Sequence, residues 1–242
     1  MKEKKVVLIT GGANALAKEI AIALSKENKV IIHYNESEKA AISALSLIGE
    51  INCKLIQCDF NKEEAETFFK RSIELFGTID VIINASSIFE KIDTEQLNKS
   101  TLVKYYNIHS IFPLLLTTEF YKWLKFNNRK GSIINITDAT LDKNVKNRVP
   151  YYLSKESLSF QTKLLAKEFA PILRINEVAP GFTLAKKWEE EYFKKVNDVL
   201  PFKITKVEEI NNVIKYFIAS NQVSGQCIKV DSGLSILETK LV

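Results

Sequence analysis

Tyr151 and Lys155 stand four residues apart in YYLSK, a spacing that on a helix puts both side chains on one face. An ammonium beside a phenol favours phenolate and draws the phenol's pKa down from about 10 toward neutrality, which makes a proton donor usable near neutral pH. Asp138 lies thirteen positions earlier, at the end of the apolar run GSIINIT, so all three side chains can converge at the edge of a sheet. A serine hydroxyl there could only polarise a carbonyl oxygen, whereas a carboxyl group can hand on a proton. Tyr121 and Lys125 repeat the tyrosine–lysine spacing, but late in a long helical stretch and without an acidic companion. That second pair reads as structural.

A second group of residues suits a phosphate. Thr10-Gly11-Gly12-Ala13-Asn14-Ala15-Leu16-Ala17 follows an apolar run and opens a helical one. A strand, a glycine turn and a helix N-terminus present backbone N–H groups and a positive dipole end to a pyrophosphate. Ala15 and Ala17 stand where a dinucleotide loop often has further glycines, and a methyl at Ala17 is expected to crowd helix-to-strand packing. Asp59 can accept from an adenine amino group or cap the helix that follows it. The end of the second strand, His33-Tyr34-Asn35-Glu36-Ser37, gives a mixed answer on the ribose: Asn35 and Ser37 suit a 2′-phosphate, while Glu36 suits a 2′-hydroxyl.

These residues need a scaffold that brings strand ends together. Apolar runs of strand length alternate with stretches of helical period, the pattern of βαβ units around a parallel sheet. Strands are expected at 5–10, 29–34, 53–57, 79–84, 131–137, 172–178 and 226–230, and helices at about 14–26, 37–49, 62–76, 98–126, 151–169 and 206–219. The fold expected is α/β, a doubly wound seven-stranded parallel sheet with helices on both faces. No linker, repeat or low-complexity block divides residues 1–242, so one domain is expected. The stretch 180–203 is the least regular, lies after a late strand, and is a candidate substrate-binding loop.

Composition narrows the classes. The chain has 242 residues, 46% of them hydrophobic and 26% charged, the profile of a soluble globular protein. Its net charge of +5 comes from scattered lysines, which argues against a nucleic-acid partner. Cys53, Cys58 and Cys227 are odd in number and lack metal-ligand spacing, so neither a disulfide framework nor a metal site is expected. Without a signal segment or a run of about 20 apolar residues, the expected location is the cytoplasm and no membrane is engaged. His33 and His109 are far apart and read as packing or surface residues, although His33 also sits among the candidate cofactor contacts.

Taken in order, TGG at 10–12, Asp59, Asn84-Ala85, Asn107, Tyr151 with Lys155, Asn176 with Pro180-Gly181, and GQCIKVDSG at 225–233 resemble the short-chain dehydrogenase/reductase family over nearly the whole chain. The resemblance implies a single-domain Rossmann fold, NADPH or NADH as cofactor, a small-molecule substrate and a homotetramer built on the long helices. It implies that Tyr151 donates a proton, that Lys155 lowers the phenol's pKa and binds the nicotinamide ribose, and that Asn107 holds a water in the proton relay. Thr10, Gly11, Gly12, Asn14, Leu16, His33, Asn35, Ser37, Asp59, Phe60, Asn84, Ala85, Ser86, Pro180 and Gly181 would meet the cofactor. Most of the family has serine where this chain has Asp138. IINITDA, HYNES and NASS look like the pteridine reductase and dihydromonapterin reductase branch, in which Asp138 would work with Tyr151 to protonate a pterin. Ser86, Ile88, Phe89 and Trp188 would complete the substrate site, with Phe89 or Trp188 supplying a stacking face.

The branch usually has basic residues where this chain has Ala15 and Glu36, and Ser232 replaces the second glycine of a C-terminal DGG. Two other readings follow. One is a carbonyl reductase of 3-oxoacyl thioesters or small ketones, with Asp138 in place of serine. The other is a nucleotide-binding protein with weak catalysis. Binding of cofactor without turnover separates the last from the first two.

Overall fold

A computed structural model describes residues 4–13, 15–143, 146–184 and 190–237. Seven strands form one parallel sheet in the order β3-β2-β1-β4-β5-β6-β7, with β1 Val6–Ile9, β2 Lys29–Tyr34, β3 Cys53–Gln57, β4 Val81–Asn84, β5 Gly131–Ile136, β6 Leu173–Pro180 and β7 Cys227–Val230. The order reverses between β1 and β4, so the crevice at their carboxyl ends is the place where a ligand binds in such a sheet.

The strands read as continuous apolar runs because both sheet faces are covered. On one face Val7, Ile9, Val30, Ile32, Val81, Ile83 and Ile134 pack against Ile20 and Leu24 of α1 (Ala15–Ser25), Ala41 and Ala44 of α2 (Glu38–Ile48), and Ile210, Ile214 and Phe217 of α8 (Val207–Ala219). On the other, Leu8, Ile31, Ile82, Ile133 and Ile175 meet Phe68 of α3 (Ala65–Glu74), Leu116, Phe120 and Leu124 of α5 (Phe112–Phe126), and Leu165 of α6 (Val149–Glu168). Ala17 is buried in the first of these cores, so its methyl is accommodated and the crowding expected from the sequence does not occur.

Two expectations are corrected. The helix read at 98–126 is two helices, α4 (Lys99–Tyr106) and α5, joined by a π turn over Asn107–Ile111 in which Phe112 N donates to Asn107 O. Apolar periodicity runs through this turn unbroken, which hides it in the sequence. The irregular stretch 180–203 contains a further helix, α7 (Glu190–Val199), whose Val196 packs with Leu200 and Leu234 beside Phe182. Its apolar stripe is short, Phe193, Val196 and Leu200 at helical spacing among charged neighbours.

Candidate active site

The carboxyl ends of β1, β4 and β5 border a cleft of about 630 Å³ that runs from Tyr34, Asn35, Glu36 and Ser37 at one end to Asp138, Tyr151 and Lys155 at the other. Its floor is fixed by hydrogen bonds between neighbouring strand ends. Thr10 Oγ1 accepts the backbone N–H groups of Ala85 and Ser86 at 3.0 and 3.1 Å. Gly11 has a φ of +67°, and a Cβ there would stand 2.7 Å from Ser86 Cα, so only glycine fits. Gly12 lies over Ile9 and Ile32. Asn14 falls outside the described residues, and Ala15, at the first turn of α1, holds a left-handed φ of +44°.

His33 is part of this frame and makes its contacts to backbone. Its Nδ1 accepts Gly11 N–H at 3.0 Å, so Nε2 carries the proton and donates to Cys58 O at 3.0 Å. The ring stacks on Phe60, and Phe60 stacks on Phe112. Burial lowers the His33 pKa to about 4, so the imidazole is neutral. Asp59 lines the cleft, but its Oδ1 takes Asn61 N–H at 3.0 Å and its carboxylate pairs with Lys62. It closes a local turn and does not cap the following helix as weighed above, since that helix begins at Ala65 with Glu64 at its N-cap. Leu16, Ala85, Ser86, Ile88, Pro180 and Gly181 also line the cleft.

Two residues expected at the ligand lie elsewhere. Asn84 turns into the sheet, where its Nδ2 donates to Asn135 Oδ1 at 2.8 Å and Asn135 in turn donates to Thr162. Asn107 sends its amide to Asn61 Oδ1 at 3.3 Å and lines an adjoining cavity that shares Asn61 and Lys104 with the cleft. Asn107 opens the π turn, and His109, two residues on, is buried.

At the far end, α6 faces the tip of β5. Tyr151 Oη donates to Asp138 Oδ2 at 2.6 Å, while Asp138 Oδ1 accepts both the N–H and the hydroxyl of Thr140 at 2.7 and 2.6 Å. Lys155 Nζ donates to Ile136 O at 2.7 Å. Burial, then the Asp138 charge, push the Tyr151 phenol well above its ordinary range. The sequence reading expects Lys155 to lower that pKa. Here the ammonium is turned to a carbonyl and the carboxylate governs the phenol, so the proton stays on Tyr151. Burial brings Lys155 down to about 8, opposed by Asp138 and Glu177. Tyr121, the control tyrosine, stacks on Phe169 and is structural as read.

The substrate end is completed by Phe89, expected from the sequence as a stacking face, and by Arg148 and His109, to which the sequence assigned no role there. Phe89 is 45% exposed and meets Tyr151 edge-on at 4.6 Å, with the Arg148 guanidinium 3.8 Å over its ring. His109 Nε2 accepts Ile88 N–H at 3.1 Å, so Nδ1 donates to Ser154 Oγ at 2.8 Å. The imidazole thus ties the 86–88 segment to the helix bearing Tyr151. Burial, then Lys155, hold its pKa well below the ordinary value. Trp188 falls outside the described residues.

The residues present fit a dinucleotide. A concave cleft passes the N-terminus of α1, which suits a pyrophosphate, and ends on a buried lysine. Ser86, which borders it, keeps a buried Oγ without a hydrogen-bond partner in the protein.

Comparison with known proteins agrees with this geometry. Two solved structures are similar over nearly the whole chain. FolM alternative dihydrofolate reductase 1 from Brucella canis, complexed with NADP, superposes with a TM-score of 0.88 at 27% identity, covering 97% of this chain and 96% of that one. The corresponding Brucella suis protein, in complex with NADP, gives 0.86 at 26% identity, with 96% of each chain covered. An uncharacterized oxidoreductase of Methylorubrum extorquens is 28% identical over 189 residues, 76% of this chain and 75% of that protein. Glucose 1-dehydrogenase 2 of Bacillus subtilis is 24% identical over 98% of this chain and 97% of that one. The short chain dehydrogenase family model matches residues 5–195, and the chain belongs to that family.

Proposed function

We propose that this chain is an NADPH-dependent reductase of pteridines, such as dihydropterins or dihydrofolate. The observation that carries the reading is the hydrogen bond from Tyr151 to Asp138 at the closed end of the cleft. Bound NADPH supplies a hydride to the ring carbon of a C=N bond. Tyr151 holds the proton that the ring nitrogen must gain, and Asp138, as acceptor from that phenol, passes it between the tyrosine and the nitrogen. Lys155 keeps a positive charge beside the pair and binds the nicotinamide ribose. Phe89, braced by Arg148, offers a flat face for a pterin ring, and residues 180–203 form the substrate-binding loop. NADP in the two similar structures supports NADPH over NADH here, with Asn35 and Ser37 receiving the 2′-phosphate.

The reading extends to a single-domain, cytoplasmic homotetramer. Leu115 on α5 and Leu153, Phe160 and Leu164 on α6 are 44–69% exposed, which suits pairing of these helices with a second copy. Light scattering on the purified protein tests this.

The function is tested by titrating the protein with NADPH and with NADH, each with and without dihydrobiopterin or dihydrofolate. Stabilisation by NADPH, increased by the pterin and followed by nucleotide oxidation, is expected. Turnover of ketones or 3-oxoacyl thioesters without any response to pterins would replace this reading with the carbonyl reductase, and binding without turnover of either would leave only a nucleotide-binding protein.

A further inference from the structure

Glu177 sits in the middle of β6, is 2% exposed, and interrupts a strand whose neighbours Val178 and Ala179 are buried and apolar. A buried carboxylate is costly unless donors and a counter-charge compensate it. Thr137 Oγ1 donates to Oε1, Ser159 Oγ donates to Oε2 at 2.8 Å, and the Cys227 thiol is a third hydrogen-bond partner. None of the three carries charge.

The positions of those donors show where the counter-charge lies. Tyr151, Lys155 and Ser159 recur every four residues along one face of α6, and each reaches the neighbouring sheet: Tyr151 to Asp138, Lys155 to the Ile136 carbonyl, Ser159 to Glu177. The tip of β5 repeats the same order, with Ile136 O taking Lys155, Thr137 holding Glu177 and Asp138 taking Tyr151. Lys155 therefore stands one helical turn from the residue that meets Asp138 and one turn from the residue that meets Glu177, and both carboxylates attract its charge. The remaining titratable groups around it are Tyr151 one turn earlier on its own helix and His109 from the π turn, which is uncharged. Beyond Glu177 lies Cys227 of β7, with Lys163 and Lys229 near its thiol. We propose that Glu177 is a positioning residue for the reductase reaction, a buried counter-charge that keeps the Lys155 ammonium protonated when the site is closed to water.

The physical need is plain. Burial disfavours the charged form of a lysine, and the carbonyl of Ile136, although it favours the ammonium, supplies no negative charge. Asp138 is committed to Tyr151 and Thr140, whereas the hydroxyls that hold Glu177 belong to Thr137 and Ser159, outside that proton transfer. The interaction of Lys155 with both carboxylates is attractive.

The inference rests on the reading of Lys155 as part of the reductase machinery, and its test separates the two. Protein labelled with 13C at the lysine ε-carbon is titrated by NMR without nucleotide, the Lys155 resonance being assigned by its absence from Lys155→Met. In Glu177→Gln, which keeps the size and hydrogen-bonding capacity of the side chain, the Lys155 midpoint is expected to fall by about one pH unit. An unmoved midpoint overturns the inference. Should Glu177→Gln fail to fold, Glu177→Leu, which removes the charge and leaves no buried amide to satisfy, is expected to lower the midpoint likewise, and no movement overturns the inference equally. The alkaline limb of turnover, measured in parallel, should follow the midpoint. A midpoint that moves without the limb counts against the role of Lys155 in turnover and leaves the Glu177–Lys155 coupling standing.

Discussion

Tyr151 Oη and Asp138 Oδ2 are 2.6 Å apart, with the phenol as donor, and the remaining carboxylate oxygen is saturated by Thr140. Asp138 is thus an acceptor on every bond it makes in the protein, and the one mobile proton of the pair resides on the tyrosine. A carboxylate in this place does more than orient the phenol, because it offers a second site for the proton within a single hydrogen bond of the first.

Removing the phenolic hydroxyl removes the proton itself. Tyr151→Phe is expected to lower kcat by about 10²–10⁴-fold, the usual contribution of a positioned acid, while leaving the NADPH dissociation constant within about twofold. Stopped-flow single turnover and fluorescence titration of the same preparation check both halves. Undiminished turnover would remove Tyr151 from its role.

Asp138→Ser separates the two reductase readings. The serine can still hydrogen-bond Tyr151 but cannot carry a proton to nitrogen, so kcat/KM for a dihydropterin should fall by about 10²-fold or more and that for a ketone should change little. Equal losses on the two substrates would contradict the relay assigned to Asp138.

His33 makes stability depend on pH. Its folded pKa of about 4 lies below the ordinary value of 6.5, so the unfolded chain binds the proton first and the stabilisation, complete above about pH 6.5, is lost as pH falls toward 4. Between pH 7 and pH 5 this amounts to about 2 kcal/mol. Urea unfolding of the wild type at the two pH values should show that loss, and His33→Gln should have a shallower slope by about the same amount.

The phosphate turn holds one left-handed residue that is glycine and one that is not. Gly11→Ala drives a methyl onto Ser86 and should cost more than about 2 kcal/mol in urea unfolding, with loss of nucleotide binding. Ala15→Gly relieves the φ of +44° and should stabilise by up to about 1 kcal/mol, the left-handed penalty less the extra entropy of glycine. A destabilised Ala15→Gly would show that its backbone bears no strain.

The sheet was legible because its strands carry unbroken apolar runs between helical periods, and the Tyr151, Lys155 and Asp138 convergence was legible because one helix face and one strand end determine it. His33 and His109 were not, since their partners are backbone groups of Gly11, Cys58, Ile88 and the hydroxyl of Ser154, remote in sequence and without a side-chain signature. The resemblance places Asn107 at the relay, whereas its amide meets Asn61, and apolar spacing does not reveal the π turn that it opens. Glu177 left a trace, an acidic residue inside LRINEVAP, whose meaning depended on knowing which hydroxyls lay opposite it.

The tip of β5 assigns one partner to each of three successive residues: the carbonyl of Ile136, the hydroxyl of Thr137 and the carboxylate of Asp138. A ruler of this kind tolerates exchange of a mark but not a change in spacing. Replacing the side chain at Thr137 or Asp138 alters one partner and leaves the others in place, whereas inserting or deleting a single residue there would misalign the lysine, the buried acid and the tyrosine together. The chemistry of the site can therefore diverge by substitution along a strand end whose length is held constant.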